Sequence, residues 1–207
     1  MRISLPKDLG IMVIAAGNSS RLGQPKQLVE ISGISLLQKT VSIAEQLSKT
    51  SVCVLGHDIE RYKANLTLAS CKILVNENWL QGMGSSIACG STFFEKKVDA
   101  VMILLCDQYR ITKADYERLV EQWQNEPDKI IASQYFDSKI KTLVDGVPVI
   151  FPKRYFNSLM SLREKGARDI LRKNQKNTIK VLLENAVFDL DTEEDLRVLN
   201  KLNGEQL

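Results

Sequence analysis

Short runs of mainly apolar residues alternate along this chain with segments that have the periodicity of amphipathic helices, and this alternation limits the fold more than any other feature. The clearest runs are residues 11–15, 51–55 and 101–105. Continuous apolar runs are typical of strands that are buried on both faces, as in a parallel sheet. Strands alternating with helices therefore predict an α/β fold, a three-layer α/β/α sandwich whose mostly parallel, doubly wound sheet is Rossmann-like.

Capping signals indicate where two of the helices begin. Ser35-x-x-Gln38 and Thr112-x-x-Asp115 both have the spacing of a capping box. Apolar residues then recur on one helical face. They are Leu37, Val41, Ala44 and Leu47 in the first helix and Tyr116, Leu119, Val120 and Trp123 in the second.

The remaining elements are predicted from the same patterns. Further strands are expected at residues 72–75, 130–133, 148–151 and 179–182. Further helices are expected at residues 58–69, 82–94, 154–160 and 167–173, and from residue 191 onwards. Residues 137–146 are expected to form an exposed polar excursion, and the absence of repeats or linkers predicts one domain over residues 1–207.

Composition argues against several kinds of partner. A net charge of +3 is too small to predict nucleic-acid binding, and the 6% of aromatic residues do not alternate with basic ones as in a single-strand binding surface. No apolar stretch approaches the roughly 20 residues that span a bilayer. The N-terminal residues lack the apolar region of a signal peptide. We therefore expect a cytoplasmic protein that binds neither nucleic acid nor membrane.

The cysteines do not indicate a metal site. Cys53, Cys71, Cys89 and Cys106 are scattered singly, and the chain has one histidine. A zinc site built from Cys and His is therefore not expected. We interpret the cysteines as reduced thiols of a cytosolic protein.

The segment that follows the first apolar run has the residue types needed to bind a polyphosphate. It lies where ligands of doubly wound sheets bind, beyond the carboxyl end of a strand. Gly17 allows close backbone approach and unusual dihedral angles, and backbone N–H groups of such turns can form an anion-binding concavity. Arg21 and Lys26 add two cations. A polar turn whose cations are merely solvated is the alternative interpretation.

Two familiar phosphate-binding motifs are missing from this segment. It lacks the Gly-Lys-Ser/Thr of a Walker A loop and the G-x-G-x-x-G of a dinucleotide site. Instead the segment reads A-A-G-x-S-x-R-x-G-x-P-K-Q-L over residues 15–28. This pattern resembles the signature of the molybdenum cofactor cytidylyltransferases, which belong to the same group as the molybdopterin guanylyltransferases and the sugar-phosphate nucleotidyltransferases.

Five further blocks resemble the same family in the same order. They are N-x-x-W-x-x-G-M-G-S-S at residues 76–86, C-D-Q at 106–108, G-x-P-V-x-F at 146–151, K-G-A-R at 165–168 and D-L-D-T-x-x-D-L at 189–196. The resemblance covers nearly the whole chain. It implies a single nucleotidyltransferase domain with the fold of the nucleotide-diphospho-sugar transferases.

The resemblance also implies which residues bind the nucleotide. The triphosphate would be held by the first loop, at Ala15, Ala16, Gly17, Asn18, Ser19, Arg21 and Lys26. The Ala-Ala-Gly form of this loop resembles the branch that uses CTP, whereas a Gly-Gly form is more typical of GTP users. The base and ribose would be bound by Asn76, Gly82, Met83, Ser85 and Ser86. A helix N-terminus of small residues packed against the sheet would produce the same pattern in this second block.

Carboxylates at the ends of two segments are candidate ligands for Mg²⁺, which prefers hard oxygen donors. Asp107 follows the most hydrophobic run, and the resemblance implies that it binds magnesium. Asp189 and Asp191 are candidates for a second metal ligand. For Asp191 a role as helix N-cap is equally plausible, because either Asp191 or Thr192 can cap the last helix.

The implied reaction is transfer of CMP from CTP to the terminal phosphate of molybdopterin, with release of pyrophosphate and with Arg21, Lys26 and Asp107 as the catalytic residues. A molybdenum hydroxylase would be a partner. The alternatives are a guanylyltransferase, a transferase acting on a sugar or polyol phosphate, and a non-catalytic protein that binds the molybdenum cofactor for such a hydroxylase.

The chain departs from the family pattern at two positions. Tyr109 stands where proline is common, and Val147 stands where a polar residue is common. The second departure concerns the acceptor, because Val147 cannot form the side-chain hydrogen bond that a polar residue would offer. Outside the motifs, Arg163, Lys165 and Arg168 are candidates for contacting an acceptor phosphate or simply form a solvated basic face, and His57 is expected to be a loop residue rather than a catalyst.

Overall fold

The computed structural model describes residues 7–138 and 140–204. The strands are β1 (Leu9–Ile14), β2 (Glu30–Ile31), β3 (Ile34–Ser35), β4 (Thr50–Leu55), β5 (Lys72–Val75), β6 (Ala100–Leu105), β7 (Ile130–Asp137), β8 (Thr142–Pro152) and β9 (Thr178–Leu182). The α-helices are α1 (Leu36–Leu47), α2 (Ile59–Ala64), α3 (Met83–Phe94), α4 (Lys113–Asn125), α5 (Phe156–Met160), α6 (Arg168–Lys173) and α7 (Glu193–Gly204).

Seven of these strands form one sheet in the order β5-β4-β1-β6-β8-β7-β9. The pairs β5–β4, β4–β1, β1–β6 and β7–β9 are parallel, whereas β8 runs antiparallel to both of its neighbours. Strands β2 and β3 form a separate small hairpin. The predicted α/β fold with a mostly parallel, doubly wound sheet is confirmed.

Each face of the sheet is covered by its own layer of helices, because successive side chains of a strand point to opposite faces. In β1, Ile11 and Val13 belong to a core that includes apolar residues of α1, α2 and α4. Met12 and Ile14 belong to a second core, shared with α3, α5 and α6. The sheet is therefore the middle layer of the predicted three-layer sandwich.

Helix α2 is shorter than predicted, and the side chains of α1 explain why. The sequence pattern predicts a helix over residues 58–69, but α2 ends at Ala64. Beyond it, Gln38 Oε1 accepts a hydrogen bond from the N–H of Thr67, and Glu45 Oε1 accepts from the N–H groups of residues 69, 70 and 71. These backbone donors are therefore bonded to side chains of α1 and not to helical carbonyl groups.

The same contact alters the predicted cap of α1. The Ser35 side chain accepts a hydrogen bond from the N–H of Gln38, as expected, but the Gln38 amide donates to Ser42 and to the carbonyl of Thr67. The cap of α4 is complete, because Thr112 and Asp115 form both bonds of a capping box.

The predicted polar excursion at residues 137–146 is wrong. Strand β7 extends to Asp137 and β8 begins at Thr142, so most of this segment is paired as a hairpin, with Phe136 opposite Leu143. Phe136 and Leu143 are more than half exposed in this hairpin. Its polar composition therefore reflects solvent exposure and not the absence of a strand.

No helix within residues 7–138 and 140–204 is both long and apolar enough to cross a membrane.

We expect the connection between α2 and β5 to depend on the charge of Glu45. Three backbone N–H groups hold the pKa of this carboxyl below its usual value, against the raising effect of burial. A lowered folded-state pKa stabilises the fold above the pKa of the unfolded chain, about 4.3, and the stabilisation is lost as the pH falls through the folded value. Glu45→Gln is therefore expected to lower the free energy of unfolding at pH 7 and to differ less from the wild type near pH 3, as measured by urea denaturation.

Glu60→Gln is the matched control, because Glu60 is exposed and its recorded partner is Lys63 within the same helix. A Glu45→Gln deficit that stays constant between pH 7 and pH 3 would contradict this account.

Candidate active site

Three cavities meet at Lys26, beyond the carboxyl ends of β1 and β6. One of about 410 Å³ lies over the first loop and the start of α3, one of about 190 Å³ lies along residues 17–22, and one of about 610 Å³ lies between β6, β8 and the segment 165–171. Lys26 lines all three. Asp191 lines the second and third, and Asp107 the first and third.

The first loop opens directly onto the 410 Å³ and 190 Å³ cavities. Ala15, Ala16, Gly17 and Asn18 line the larger of the two, and Ser19 and Arg21 line the smaller. A Cβ atom added to Gly17 would meet nothing within 4 Å, so its missing side chain leaves open space on the cavity side. The unusual backbone conformation expected at Gly17 falls instead at Ser19, whose φ is 54°.

Gln27 holds this loop in place from below. Its side chain is 1% exposed, and its amide donates to the carbonyl oxygens of Ala15 (3.2 Å) and Gly17 (2.7 Å). Its Oε1 accepts from the hydroxyls of Ser19 (3.0 Å) and Tyr62 (3.3 Å). Because one buried side chain takes up both carbonyl groups, the loop carbonyls are turned toward the core and away from the cavities.

Lys26 forms an ion pair with each of two carboxylates at the junction of the cavities. Its Nζ lies 2.5 Å from Asp107 Oδ2 and 2.9 Å from Asp191 Oδ1. Burial by itself would lower the pKa of Lys26, but the two carboxylates outweigh it and raise that pKa above its usual value. Arg21 reaches the other oxygen of Asp191 at 3.3 Å and is largely exposed. The predicted catalytic residues and metal ligands are therefore in direct contact.

Backbone pairing brings the C-terminal acidic segment to this point. Gln108 and Asp189 form an isolated antiparallel bridge, and the N–H of Leu190 donates to the carbonyl of Asp107 at 3.0 Å. Alternate residues of an extended segment point to the same side, so Asp189 and Asp191 both face the cavity that they line.

Thr192, and not Asp191, caps the last helix. Its hydroxyl accepts from the N–H of Asp195, while Asp195 accepts from the N–H groups of Asp191 and Thr192. The Asp191 carboxylate is therefore not the helix cap and pairs with Lys26 and Arg21 instead. Its role as a metal ligand stays a prediction.

Asp189 adds a third carboxyl group to the site. Burial, followed by repulsion from Asp107 and Asp191, raises its pKa to about 7. Asp189 Oδ1 and Asp107 Oδ1 are buried without a hydrogen-bond partner in the described structure. Such unsatisfied buried oxygens are costly and call for a further partner.

The donor set suits a hard divalent cation that shares its ligands with a substrate. Within residues 7–138 and 140–204, no three His, Cys, Asp or Glu side chains are grouped so that they could hold a metal ion by themselves. Mg²⁺ is usually bound by one or two carboxylates together with substrate phosphates and water. Asp107 and Asp191, together with the unsatisfied Oδ1 atoms of Asp107 and Asp189, fit that arrangement.

The 82–86 block is divided between two surfaces. Gly82, Met83 and Ser86 line the 410 Å³ cavity, whereas Asn76 and Ser85 line a separate pocket of about 500 Å³ on the other side of α3. Asn76 joins the two surfaces, since its amide donates to Ser85 Oγ (2.8 Å) and Ser86 Oγ (3.0 Å).

The glycines of this block are required by packing. A Cβ atom at Gly82 would collide with the carbonyl oxygen of Glu164, and one at Gly84 would collide with those of Arg163 and Lys165. The start of α3 is thereby pressed against the segment 163–166. The alternative of a packed helix N-terminus therefore holds for Gly84, while Met83 and Ser86 face the cavity.

The 610 Å³ cavity combines an apolar wall with charged groups at its ends. The wall includes Met83, Ile87, Leu105, Tyr135, Val147, Val149 and Leu171. Lys165 and Arg168 also line it, but Arg163 lines the 500 Å³ pocket and donates to carbonyls of its own segment. Val147, one of the two departures from the family pattern, therefore lies in a cavity that adjoins Lys26 and Asp107.

The other departure and the histidine lie outside these cavities. Tyr109 is buried in a third apolar cluster with Leu22, Leu36, Leu190 and Leu199, where it joins the first loop to the C-terminal segment. The His57 ring packs edge-on against Trp79 at 5.4 Å between centroids.

Sequence patterns missed Gln27, Tyr135 and Gln108 as parts of the site. Gln108 donates to the carbonyls of Val147 and Ala186 and so links β6 to the other side of the cavity. Gln27 and Gln108 stood within recognised blocks, but nothing in the sequence distinguishes a buried glutamine that bonds the backbone from a solvated one.

Comparisons with known proteins identify similar sequences and similar folds. The sequence profile of the MobA-like NTP transferase domain matches residues 11–178. The chain is 27% identical over 195 residues to a probable molybdenum cofactor guanylyltransferase of Nostoc sp., covering 93% of this chain and 90% of that protein. It is 29% identical over 205 residues to the nicotine blue oxidoreductase of Paenarthrobacter nicotinovorans, covering 93% and 96%.

Among solved structures, Rv0371c of Mycobacterium tuberculosis superimposes with a TM-score of 0.81 at 23% identity, covering 96% of this chain and all of that one. The same protein has also been solved in complex with manganese, with a TM-score of 0.75, 20% identity and coverage of 95% and 99%.

We expect Gln27→Met to destabilise the fold, because the carbonyls of Ala15 and Gly17 would lose their buried donor. Each unsatisfied buried acceptor costs about 1–3 kcal/mol, so the two carbonyls together are expected to lower the free energy of unfolding by roughly 2–6 kcal/mol. Urea denaturation measures it. Tyr62→Phe is the matched control, since it removes a single 3.3 Å hydrogen bond to the same side chain; equal losses in the two variants would show that the backbone bonds do not matter.

Proposed function

The chain belongs to the family of MobA-like NTP transferase domains and is a nucleotidyltransferase; from this premise we propose that it transfers CMP from CTP to the terminal phosphate of molybdopterin and releases pyrophosphate. The observation that carries the proposal is the contact of Lys26 with Asp107 and Asp191 at the meeting point of three cavities. Two substrates and a metal ion have to meet at one such point in this reaction.

Phosphate groups of the nucleotide are assigned to the first loop. The 190 Å³ cavity runs along residues 17–22 and is lined by both Arg21 and Lys26. In the proposed complex Lys26 offsets charge at the α-phosphate and Arg21 offsets charge on the departing pyrophosphate. The base and ribose then occupy the 410 Å³ cavity beside Met83 and Ser86.

The lining of the 610 Å³ cavity supports an acceptor with a planar ring system and a terminal phosphate. Its wall is largely apolar and includes the ring of Tyr135, while Lys26 and Arg21 lie at the end that adjoins the nucleotide. Lys165 and Arg168 add positive charge elsewhere on the lining. The relative named as a molybdenum cofactor guanylyltransferase supports a molybdopterin-type acceptor, and a molybdenum hydroxylase would be the recipient of the product.

The proposed mechanism requires positioning more than acid–base chemistry. A phosphate monoester has a second pKa of about 6, so the acceptor is already largely dianionic at neutral pH. Its oxygen attacks the α-phosphorus in line, the bond to the bridging oxygen breaks, and pyrophosphate leaves with that electron pair. The protein holds the two anions together by means of Lys26, Arg21 and the backbone of the first loop.

Asp107 and Asp191 are the proposed ligands of a divalent ion, with magnesium as the expected metal. When bound, such an ion supplies charge neutralisation at the reacting phosphates. The manganese complex of Rv0371c supports a divalent ion in this fold.

We expect Asp107→Asn to lower kcat for pyrophosphate release from CTP and molybdopterin by at least about 100-fold, a typical effect of losing one electrostatic contact to a transition state. Asp99→Asn is the matched control. Asp99 directly precedes the amino end of the same strand β6 and accepts a hydrogen bond from the N–H of Asp8. Nearly normal turnover by Asp107→Asn would refute the assignment, as would cofactor binding without any consumption of nucleotide, which would favour a non-catalytic carrier.

We expect Ala16→Gly to shift the choice of nucleotide from CTP toward GTP. The Ala16 methyl group lines the 410 Å³ cavity and is buried, so it limits the space for a base. One methyl group in a pocket alters discrimination by about tenfold or more, so the ratio of kcat/KM for CTP and GTP is expected to fall by about that factor. Ala15→Gly is the control. Ala15 also borders this cavity, but it belongs to the core cluster on the α1 face, whereas Ala16 belongs to none of the core clusters that the described residues form. If Ala16→Gly and Ala15→Gly change the ratio of kcat/KM for CTP and GTP by the same factor, the proposed role of Ala16 is wrong.

A further inference from the structure

Lys26 lies at the position that a divalent ion needs. Its ammonium group donates to one oxygen of Asp107 and one of Asp191, and its side chain is only 18% exposed. The charged groups around this carboxylate pair include Lys26, Arg21, Asp189 and Asp195. A cation bound to both carboxylates would lie within a few ångströms of the ammonium group.

Two cations at that separation repel each other by several kcal/mol at partly buried sites, which opposes simultaneous occupancy. A divalent ion alone therefore competes with Lys26 for both carboxylates. The displaced ammonium group would then lose two short ionic hydrogen bonds in a largely buried position, and the lining residues of the three cavities include no carboxylates besides Asp107, Asp169, Asp189 and Asp191.

A polyphosphate changes this balance. Lys26 lines both the 190 Å³ and the 410 Å³ cavities, and its flexible stem of four methylene groups can turn toward either. Phosphate oxygens bound there would give the ammonium group a new anionic partner. The two carboxylates would then be left to the incoming cation, which also gains phosphate ligands.

We propose that Lys26 is a displaceable counter-ion that keeps divalent metal off Asp107 and Asp191 until a nucleoside triphosphate arrives. The inference rests on the proposed function, because it assumes a polyphosphate in the first loop. It gives Lys26 a second role besides contact with the α-phosphate. The metal and the nucleotide enter together, and the metal-free protein is stabilised by its own lysine.

The test is metal binding without nucleotide. Mn²⁺ is the probe, and the free ion is quantified by its electron paramagnetic resonance signal during titration of the full chain. Lys26→Met and Lys26→Gln are expected to bind Mn²⁺ at least tenfold more tightly than the wild type, because the carboxylates have lost their competitor. Lys26→Arg, which keeps the positive charge, is expected to bind as weakly as the wild type.

Two controls localise the effect. Lys113→Met removes the same charge from the surface of α4, where Lys113 pairs with Glu117, and is expected to leave Mn²⁺ binding unchanged. The double variant Lys26→Met with Asp107→Asn is expected to lose the tighter Mn²⁺ binding of the single variant Lys26→Met. A gain below tenfold in both neutral variants, or a gain that persists in the double variant, overturns the proposal.

A second measurement is needed because the loss of Lys26 leaves Asp107 and Asp191 without that partner and can change the stability of the variants. Thermal unfolding followed by circular dichroism should show that Mn²⁺ raises the Tm of Lys26→Gln more than that of the wild type. An equal or smaller shift overturns the proposal.

Titration of the wild type with Mn²⁺ in the presence of CTP or GTP separates this inference from the proposed function. Absence of metal binding with both nucleotides would refute the proposed function itself. Metal binding with nucleotide, combined with no gain in the nucleotide-free lysine variants, would refute only the role of Lys26 as a counter-ion.

Discussion

A short backbone connection at the end of β6 is the contact on which the rest of the site depends. The bridge between Gln108 and Asp189, with the hydrogen bond from Leu190 to the carbonyl of Asp107, attaches the C-terminal segment to the central strand. Without it, the carboxylates of Asp107 and Asp191 would belong to unrelated parts of the chain. With it, they form one anionic pair that can hold a cation.

That pair creates an electrostatic problem which the protein solves with its own basic residues. Three carboxyl groups lie close together, and repulsion among them contributes to the raised pKa of Asp189. Lys26 offsets the negative charges of Asp107 and Asp191 by direct contact. Arg21, which is largely exposed, also offsets the charge of Asp191. The same residues are suited to meet phosphate, so the charge balance of the free protein and the chemistry of the proposed reaction are coupled through one lysine.

Steric constraints shape the rest of the site more than polar groups do. The start of α3 approaches the segment 163–166 so closely that only glycine fits at Gly82 and Gly84. Beneath the first loop, Gln27 takes up the inward-turned carbonyls. Both features help to fix the walls of the 410 Å³ cavity, which Gln27 and Gly82 also line. Residues of one recognised block therefore serve packing as well as the lining of the cavity.

The sequence by itself determined the α/β class, the order of most elements and the residues of the first loop, because apolar runs and capping signals are local and the loop follows its strand directly. It also predicted Lys26 and Asp107 as partners in one site. Only the tertiary structure decided that the N–H groups of residues 67 and 69–71 bond to Gln38 and Glu45 instead of continuing α2, and that Thr192 caps α7 and leaves Asp191 to the site. These outcomes depend on competition between partners distant in sequence, and local patterns carry no information about which partner wins.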